Sequence, residues 1–299
     1  MSNITNYSEI ISPIEYNKIM NEEHLYISTS DDIIKEIIKK LSKNSKKEVV
    51  EIGCGPGRFS SKISLIKNIS LSAIDIDLIF LEFAKKFDLT TNFIQSEIQE
   101  YRHTQKVDIF ISQGLHHHID KGKVTQKYLL NVFSQLNDNG VYILSDEFLP
   151  EYTSEKERNI LSILWYSHII ASAKDSNYLY LAQEEAKTLL DDLFIQTKQH
   201  KNESHLTLIL ESAITINNLI LCNEINKAKD LAISLLEDIH RNSDFSIDLS
   251  LLKSRGDFKI CESVLKNEIN LAGFEIKEKY RVGPEQDIGG MIVYILGKK

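Results

Sequence analysis

The sequence predicts an α/β fold: a parallel sheet with helices on both faces, extended by an N-terminal helical arm and an inserted helical cap. Three observations predict it. Between residues 47 and 150, short apolar runs alternate with segments of helical period, the order that parallel pairing requires. The first run ends in "EIGCGPGRFS", where Gly53, Gly55 and Gly57 turn a strand directly into a helix. Between Pro150 and Gly256 there is neither a proline nor a glycine, which favours near-continuous helix broken only by polar turns.

The elements follow in order. In "DDIIKEIIKKLSK" the positions Ile33, Ile34, Ile37, Ile38 and Leu41 recur at helical spacing behind Asp31 or Asp32 as cap, so an amphipathic helix closes the arm, residues 1–46. "EVVEIG" reads as a buried strand, "RFSSKISLI" as a helix, "LSAIDI" as a strand, and "DLIFLEFAKKF" as a helix capped by Asp77. "TNFIQS" and "KVDIFISQG" are strands, "KVTQKYLLNVFSQL" a helix, and "GVYILSDEF" a strand opened by Gly140. Residues 151–256 form the cap, and "KAKDLAISLLEDI" shows its period, with Ala228, Leu231, Ala232, Leu235, Leu236 and Ile239 on one side. The sheet domain, residues 47–150, resumes at 257–299. There "KICESVLKNEINLAG" is a helix ended by Gly273, and "FEIKEKYRV" and "GMIVYILGK" are the last strands.

Composition narrows the function. A hydrophobic fraction of 42% suits a globular chain of 299 residues. The net charge of -8 argues against nucleic acid as the main partner, because phosphate binding needs a surplus of Lys and Arg. Cys54, Cys222 and Cys261 are odd in number and widely spaced, which suits free thiols in a reducing compartment. The start "MSNITNYSEIISP" has no basic segment followed by an apolar block, so a cytoplasmic protein is expected. The apolar stretch "LTLILESAITINNLILC" is broken by Glu211, Asn217 and Asn218, which reads as a buried helix; no membrane span is expected.

A glycine-rich turn brings backbone amides close to a ligand, since glycine accepts positive φ and has no Cβ to collide. Glu51 stands just before the turn, and an acid there suits a cationic amino-acid head better than a phosphate. The dinucleotide register also fails: counted from Gly53 its third glycine is Arg58, and counted from Gly55 it is Ser60. About twenty residues on, Asp75 ends the second strand, where an acid accepts hydrogen bonds from both hydroxyls of a ribose.

These residues resemble the class I S-adenosylmethionine-dependent methyltransferases. Glu51-Ile52-Gly53-Cys54-Gly55-Pro56-Gly57 matches that family's acid-x-Gly-x-Gly-x-Gly motif, and "AIDIDLIFLEFAKK" its second motif, with Asp75 as the ribose acid and Ile76 beside it. "NFIQSEIQEY" resembles the third, with Glu97 where the family has an adenine-binding Asp, and Ile98 beside the ring. "VDIFISQGLHHHID" resembles the fourth strand and its loop, with Gln113 at the cofactor. The resemblance covers 47–149 and 258–297 and implies a Rossmann-like seven-stranded sheet, with S-adenosylmethionine as cofactor.

Methyl transfer from a sulfonium is an in-line displacement that depends on holding acceptor and methyl carbon in line; a base is needed only when the acceptor must lose a proton. His116, His117 and His118 leave the fourth strand at its ligand-binding end, and Asp146 and Glu147 follow the fifth strand there, so these five are the candidate catalytic residues. Three adjacent histidines point apart, so no metal is expected. In the cap, Tyr152, Trp165, Tyr166, His168 and Tyr178 are candidate substrate contacts, with Tyr16 of the arm opposite.

The expected function is methylation of a small or medium-sized molecule, a specialised-metabolism type of small-molecule substrate, with a homodimer contact available on the long cap helices. Two rivals are open. A same-fold enzyme that cyclises the cofactor would release methylthioadenosine, and one that uses it to promote a ring closure or rearrangement would not methylate. A noncatalytic interaction protein would not bind the cofactor at all.

Overall fold

The computed structural model describes residues 7–9, 11–23, 25–119, 121–193, 203–241 and 259–299. The predicted cap residues 194–202 and 242–256 lie outside the described residues. The chain divides into two compact units. One holds Met1–Asp146, Ser263–Val282 and Met291–Lys299; the other holds Glu147–Glu262 and Gly283–Gly290.

The first unit is built on a seven-stranded sheet of order β3-β2-β1-β4-β5-β7-β6. Its strands are β1 (Lys47–Ile52), β2 (Ile69–Asp75), β3 (Asn92–Gln95), β4 (Val107–Gln113), β5 (Leu136–Phe148), β6 (Phe274–Val282) and β7 (Gly290–Lys298). The pairs β1–β2, β1–β4, β2–β3 and β4–β5 are parallel, while β6 runs antiparallel to β7, so the sheet is mixed. The order reverses at β1, which pairs with β2 on one side and β4 on the other. Crevices of open α/β sheets lie at such a switch point, outside the carboxyl ends of the strands.

Residues alternate across the sheet. Val49, Ile109, Ile111 and Ile143 face one way and pack with Ile34, Ile37 and Ile38 of α2 (Ile27–Ser42) and Ile63 of α3 (Ser60–Ile63). Tyr142, one residue along, faces the other way and meets Tyr128 of α5 (Lys123–Gln135) edge-on, with centroids 6.3 Å apart. Helices therefore cover both faces, as the alternation predicts.

The remaining helices of this unit are α1 (Pro13–Lys18), α4 (Leu78–Phe87) and α10 (Glu262–Leu271), the last shared at its first residue with the other unit. Asp77 caps α4 as expected, accepting from Ile79 N at 3.0 Å and Phe80 N at 3.2 Å.

Four sequence expectations are corrected. The helix predicted to start at Asp31 or Asp32 begins at Ile27, so neither acid caps it; Asp31 is buried inside α2. The helix read in "RFSSKISLI" contracts to Ser60–Ile63, because Leu65 is 82% exposed and offers no apolar face to extend it. β5 opens at Leu136 rather than Gly140, with a register shift where it pairs with Val107 and Ile109. The helix expected from Lys259 starts at Glu262, because Ile260 instead makes a parallel bridge to Phe148.

The second unit is helical: α6 (Glu155–Asp175), α7 (Leu179–Leu193), α8 (Glu203–Leu221) and α9 (Ile225–Arg241). Its centre is α6, capped by Ser154 and buried along nearly its whole length. α9 buries Ala228, Ala232, Leu235, Leu236 and Ile239, the stripe its spacing predicts; Leu231 flanks that stripe and is only partly buried. α8 departs from expectation. Only 33% of its Ser204–Leu221 window is buried, and by length and composition alone that window passes as a membrane span. Ile209, Ala213, Ile216 and Ile220 face inward, whereas Ile214 and Leu221 are exposed.

Candidate active site

The crevice floor is the loop after β1. Gly53, Gly55 and Gly57 all have positive φ, the region that excludes most side chains. Their missing side chains serve different ends. A Cβ on Gly57 would sit 2.7 Å from the Cβ of Ala84, so this glycine lets α4 pack against the loop. A Cβ on Gly55 would be in ordinary van der Waals contact with ring carbons of Phe80 and Tyr16 at 3.6 to 4.0 Å, so its positive φ, not crowding, favours glycine there. Gly53 lies against Leu115. Cys54, in the same loop, is buried, and burial pushes its thiol well up; it behaves as a core residue.

Two carboxylates flank the loop. Asp75 accepts from Gly55 N at 2.7 Å through Oδ2 and from Asp77 N at 2.9 Å through Oδ1, so it holds the loop to the end of β2. Glu51 is buried, accepts from the Ser60 hydroxyl, and is pushed by desolvation up to about 7. A buried acid poised at neutrality fits a cationic group, since a neighbouring positive charge would restore its ionised form. Ile76 lies at the mouth of β2, where its carbonyl accepts from Gln95 Nε2 at 3.1 Å. Glu97 is exposed in the turn after β3, and Ile98 beside it is buried.

Gln113 ends β4, and its side chain belongs to a buried network that sequence reasoning missed. Arg58 donates to Asp31 at 2.5 and 2.9 Å and to Gln113 Oε1 at 2.5 Å, while Gln113 Nε2 donates to Asp31 Oδ1 at 2.9 Å. Lys62 adds a bond to Asp31 at 2.7 Å, and the two cations hold its carboxyl below the usual range despite burial. The signal was spacing. Asp31 falls on the stripe of Ile27, Ile34 and Ile38, and an acid in an apolar stripe demands a buried cation.

The histidines take separate partners. His117 Nδ1 hydrogen-bonds to Asp146 Oδ1, and Asp146 Oδ2 accepts from the backbone N–H of His116 at 2.5 Å and of His117 at 3.3 Å. His116 Nε2 bonds to Glu268 of α10 at 2.9 Å; burial holds its pKa down, so it is neutral at neutral pH. The His117 and His118 rings lie 3.8 Å apart, centroid to centroid. Among the described residues no group of three or more His, Cys, Asp or Glu is arranged to hold a metal ion. Glu268 could not be found from sequence, as it arrives 152 positions later.

Tyr16 of α1 belongs with the loop rather than with the cap aromatics: its ring lies 5.4 Å from Phe80, and its hydroxyl senses Arg58, Asp75 and Glu51. In the helical unit, Trp165, Tyr166 and His168 are interior to α6, and His168 Nδ1 is 2.9 Å from Asn217 Oδ1 of α8. Tyr166 accepts from the buried Lys259 at 2.6 Å, and Lys259 also pairs with Glu147 at 3.1 Å. Tyr152 is partly buried, its hydroxyl pushed up to about 12 by burial, and Tyr178 lies in the turn between α6 and α7.

A positive-φ glycine turn, the buried Glu51 before it and Asp75 bonded to its Gly55 N–H thus meet where the strand order reverses. Residues 43–200 match the family model described as a methyltransferase domain, and the chain belongs to that family. It is an S-adenosylmethionine-dependent methyltransferase. Among curated proteins it resembles the ubiquinone biosynthesis O-methyltransferase of Rickettsia canadensis (strain McKiel), 25% identical over 176 residues, which are 56% of this chain and 71% of the relative. A putative methyltransferase, 235L, of Invertebrate iridescent virus 6 is 31% identical over 111 residues, 37% of this chain and 36% of that protein. Among solved structures, an S-adenosylmethionine-dependent methyltransferase from Clostridium acetobutylicum superposes over 98% of this chain and 99% of its own, with TM-score 0.53 and 11% identity. Magnesium protoporphyrin IX methyltransferase from Synechocystis, with bound S-adenosylhomocysteine, gives TM-score 0.53 at 10% identity over 98% and 96%. At such identities these likenesses establish the fold.

Proposed function

We propose that this enzyme methylates a hydroxyl oxygen of a small or medium-sized acceptor, with His117 as general base and Asp146 as the residue that positions it. The observation that carries this reading is the His117 Nδ1–Asp146 bond. An ionised carboxylate only accepts, so it keeps the proton on Nδ1 and leaves Nε2 as the basic nitrogen, the one that takes a hydroxyl proton. Backbone N–H groups of His116 and His117 hold the same carboxylate, so the imidazole is oriented before any acceptor arrives. The similarity to O-methyltransferases of ubiquinone biosynthesis supports oxygen as the acceptor atom.

Incubation of the full chain with S-adenosylmethionine and a cell extract, followed by mass spectrometry, tests the reading. S-adenosylhomocysteine and an O-methylated product are expected; methylthioadenosine, or unconsumed cofactor, would count against it. With the acceptor in hand, His117→Gln should lower kcat by about 10²–10⁴ while S-adenosylhomocysteine binds as before. An undiminished kcat would remove His117 from the chemistry.

A further inference from the structure

We propose that Asn131 and Gln135 of α5 are positioning residues for the loop after β3, and that through this loop they set the preference of the cofactor site for a 6-amino purine. Lys127, Asn131 and Gln135 recur every fourth position, so they share one face of the helix, and Asn131 and Gln135 are buried. Buried amides are costly unless they are bonded.

Their partners all lie in one segment. Asn131 Nδ2 donates to the carbonyls of Ile98 at 2.5 Å and Tyr101 at 3.0 Å, Gln135 Nε2 donates to the Tyr101 carbonyl at 3.1 Å, and Gln135 Oε1 accepts from His103 N at 2.6 Å. Lys127 pairs with Glu100 at 2.5 Å, but that pair is exposed and contributes little. Residues 96–103 are neither strand nor helix, so their backbone groups need partners from elsewhere, and α5 supplies them. Within the segment, Glu100 N and Tyr101 N both donate to the Glu97 carbonyl at 3.0 Å and close a turn.

The loop begins at the crevice. Ser96 N donates to the Asp75 carbonyl at 2.9 Å, and β3 lies beyond β2 as counted from β1. A nucleoside with its sugar at Asp75 of β2 and its amino-acid end toward Glu51 of β1 has its base on the β3 side, against this loop; the inference rests on that placement of the cofactor. Glu97 is exposed where the turn starts, and its carboxylate has no hydrogen-bond partner among the described residues. An ionised carboxylate only accepts, so it meets the amino group of adenine and repels the 6-oxo group of hypoxanthine. That discrimination needs Glu97 held in one place. A loop released from α5 spreads the carboxylate over many positions and loses it.

The test compares S-adenosylhomocysteine with S-inosylhomocysteine on the full chain by calorimetry, and follows hydrogen exchange at residues 96–103. Wild type should bind the adenine compound at least about tenfold more tightly. Asn131→Leu should weaken S-adenosylhomocysteine by about 5- to 100-fold, the worth of two hydrogen bonds, bring the ratio of the two affinities toward one, and speed exchange in the loop of the free protein. Gln135→Met, at the end of the helix, should act in the same direction and carries the test alone should Asn131→Leu not fold. A purely structural role would weaken both compounds alike and keep their ratio. That result, unchanged affinities in the variants, or a wild type that binds both compounds equally, would overturn the proposal. A wild type that binds neither compound would instead overturn the cofactor placement, so the two failures are distinguishable.

Discussion

Glu51 shows how one buried carboxylate couples pH to binding. Its folded pKa of about 7 lies above its ordinary 4.5, so the folded chain holds that proton more tightly than the unfolded chain does. The stability this contributes is complete below pH 4.5 and is lost as pH rises through 7. Across that window the cofactor-free protein should lose about 3 kcal/mol, and Glu51→Gln should flatten the profile; urea titrations at pH 5, 6, 7 and 8 check this. The affinity runs the other way. If ionised Glu51 faces the ligand's ammonium, S-adenosylhomocysteine should bind more tightly as pH rises from 6 to 8, by up to about tenfold per unit below 7, and calorimetry on wild type and Glu51→Gln would show whether the slope belongs to this residue. The strand ends carrying Glu51 and Asp75 and the turn carrying Gly55 were legible in the sequence because they are local.

At the scale of elements, α2 is tied to the glycine loop by charge as well as by its isoleucines. Arg58 and Asp31 are both buried, with side chains 7% and 2% exposed, so their pair is worth most when both members are present. Removing Arg58 alone should be costly. Arg58→Met, which leaves the buried Asp31 with Lys62 as its one remaining cation, is expected to destabilise the protein by about 3 kcal/mol, and Arg58→Met with Asp31→Leu by less, since apolar replacement of both partners removes the under-compensated charge. Denaturant midpoints of the single and double variants measure the difference, and a double variant no more stable than the single would refute a buried-pair account. The apolar stripe around Asp31 signals in sequence that this acid needs a buried cation, but nothing local names Arg58, 27 positions on, as that cation. The boundaries of α3 and β5 were misread for a related reason: local propensity does not say where a helix loses its apolar partner.

At the scale of the whole molecule, binding and folding are linked through the sheet unit. S-adenosylhomocysteine at a hundredfold its Kd should raise the unfolding free energy by about 2.7 kcal/mol, with added hydrogen-exchange protection in β1, β2 and α4. No change in protection there would place the ligand elsewhere. By itself the sequence determined the alternating architecture, the buried stripe of α9, the two final strands, and the glycine turn that follows β1. Each of these is written in neighbouring residues through periodicity, turn chemistry and capping. Only the tertiary structure decided that His117 is held by Asp146 and His116 by Glu268, that Asp31 is an ion-pair member rather than a cap, and that Tyr16 lies at the glycine turn after β1. Those pairings join residues far apart along the chain, and a contact made by folding leaves no local pattern from which to read it.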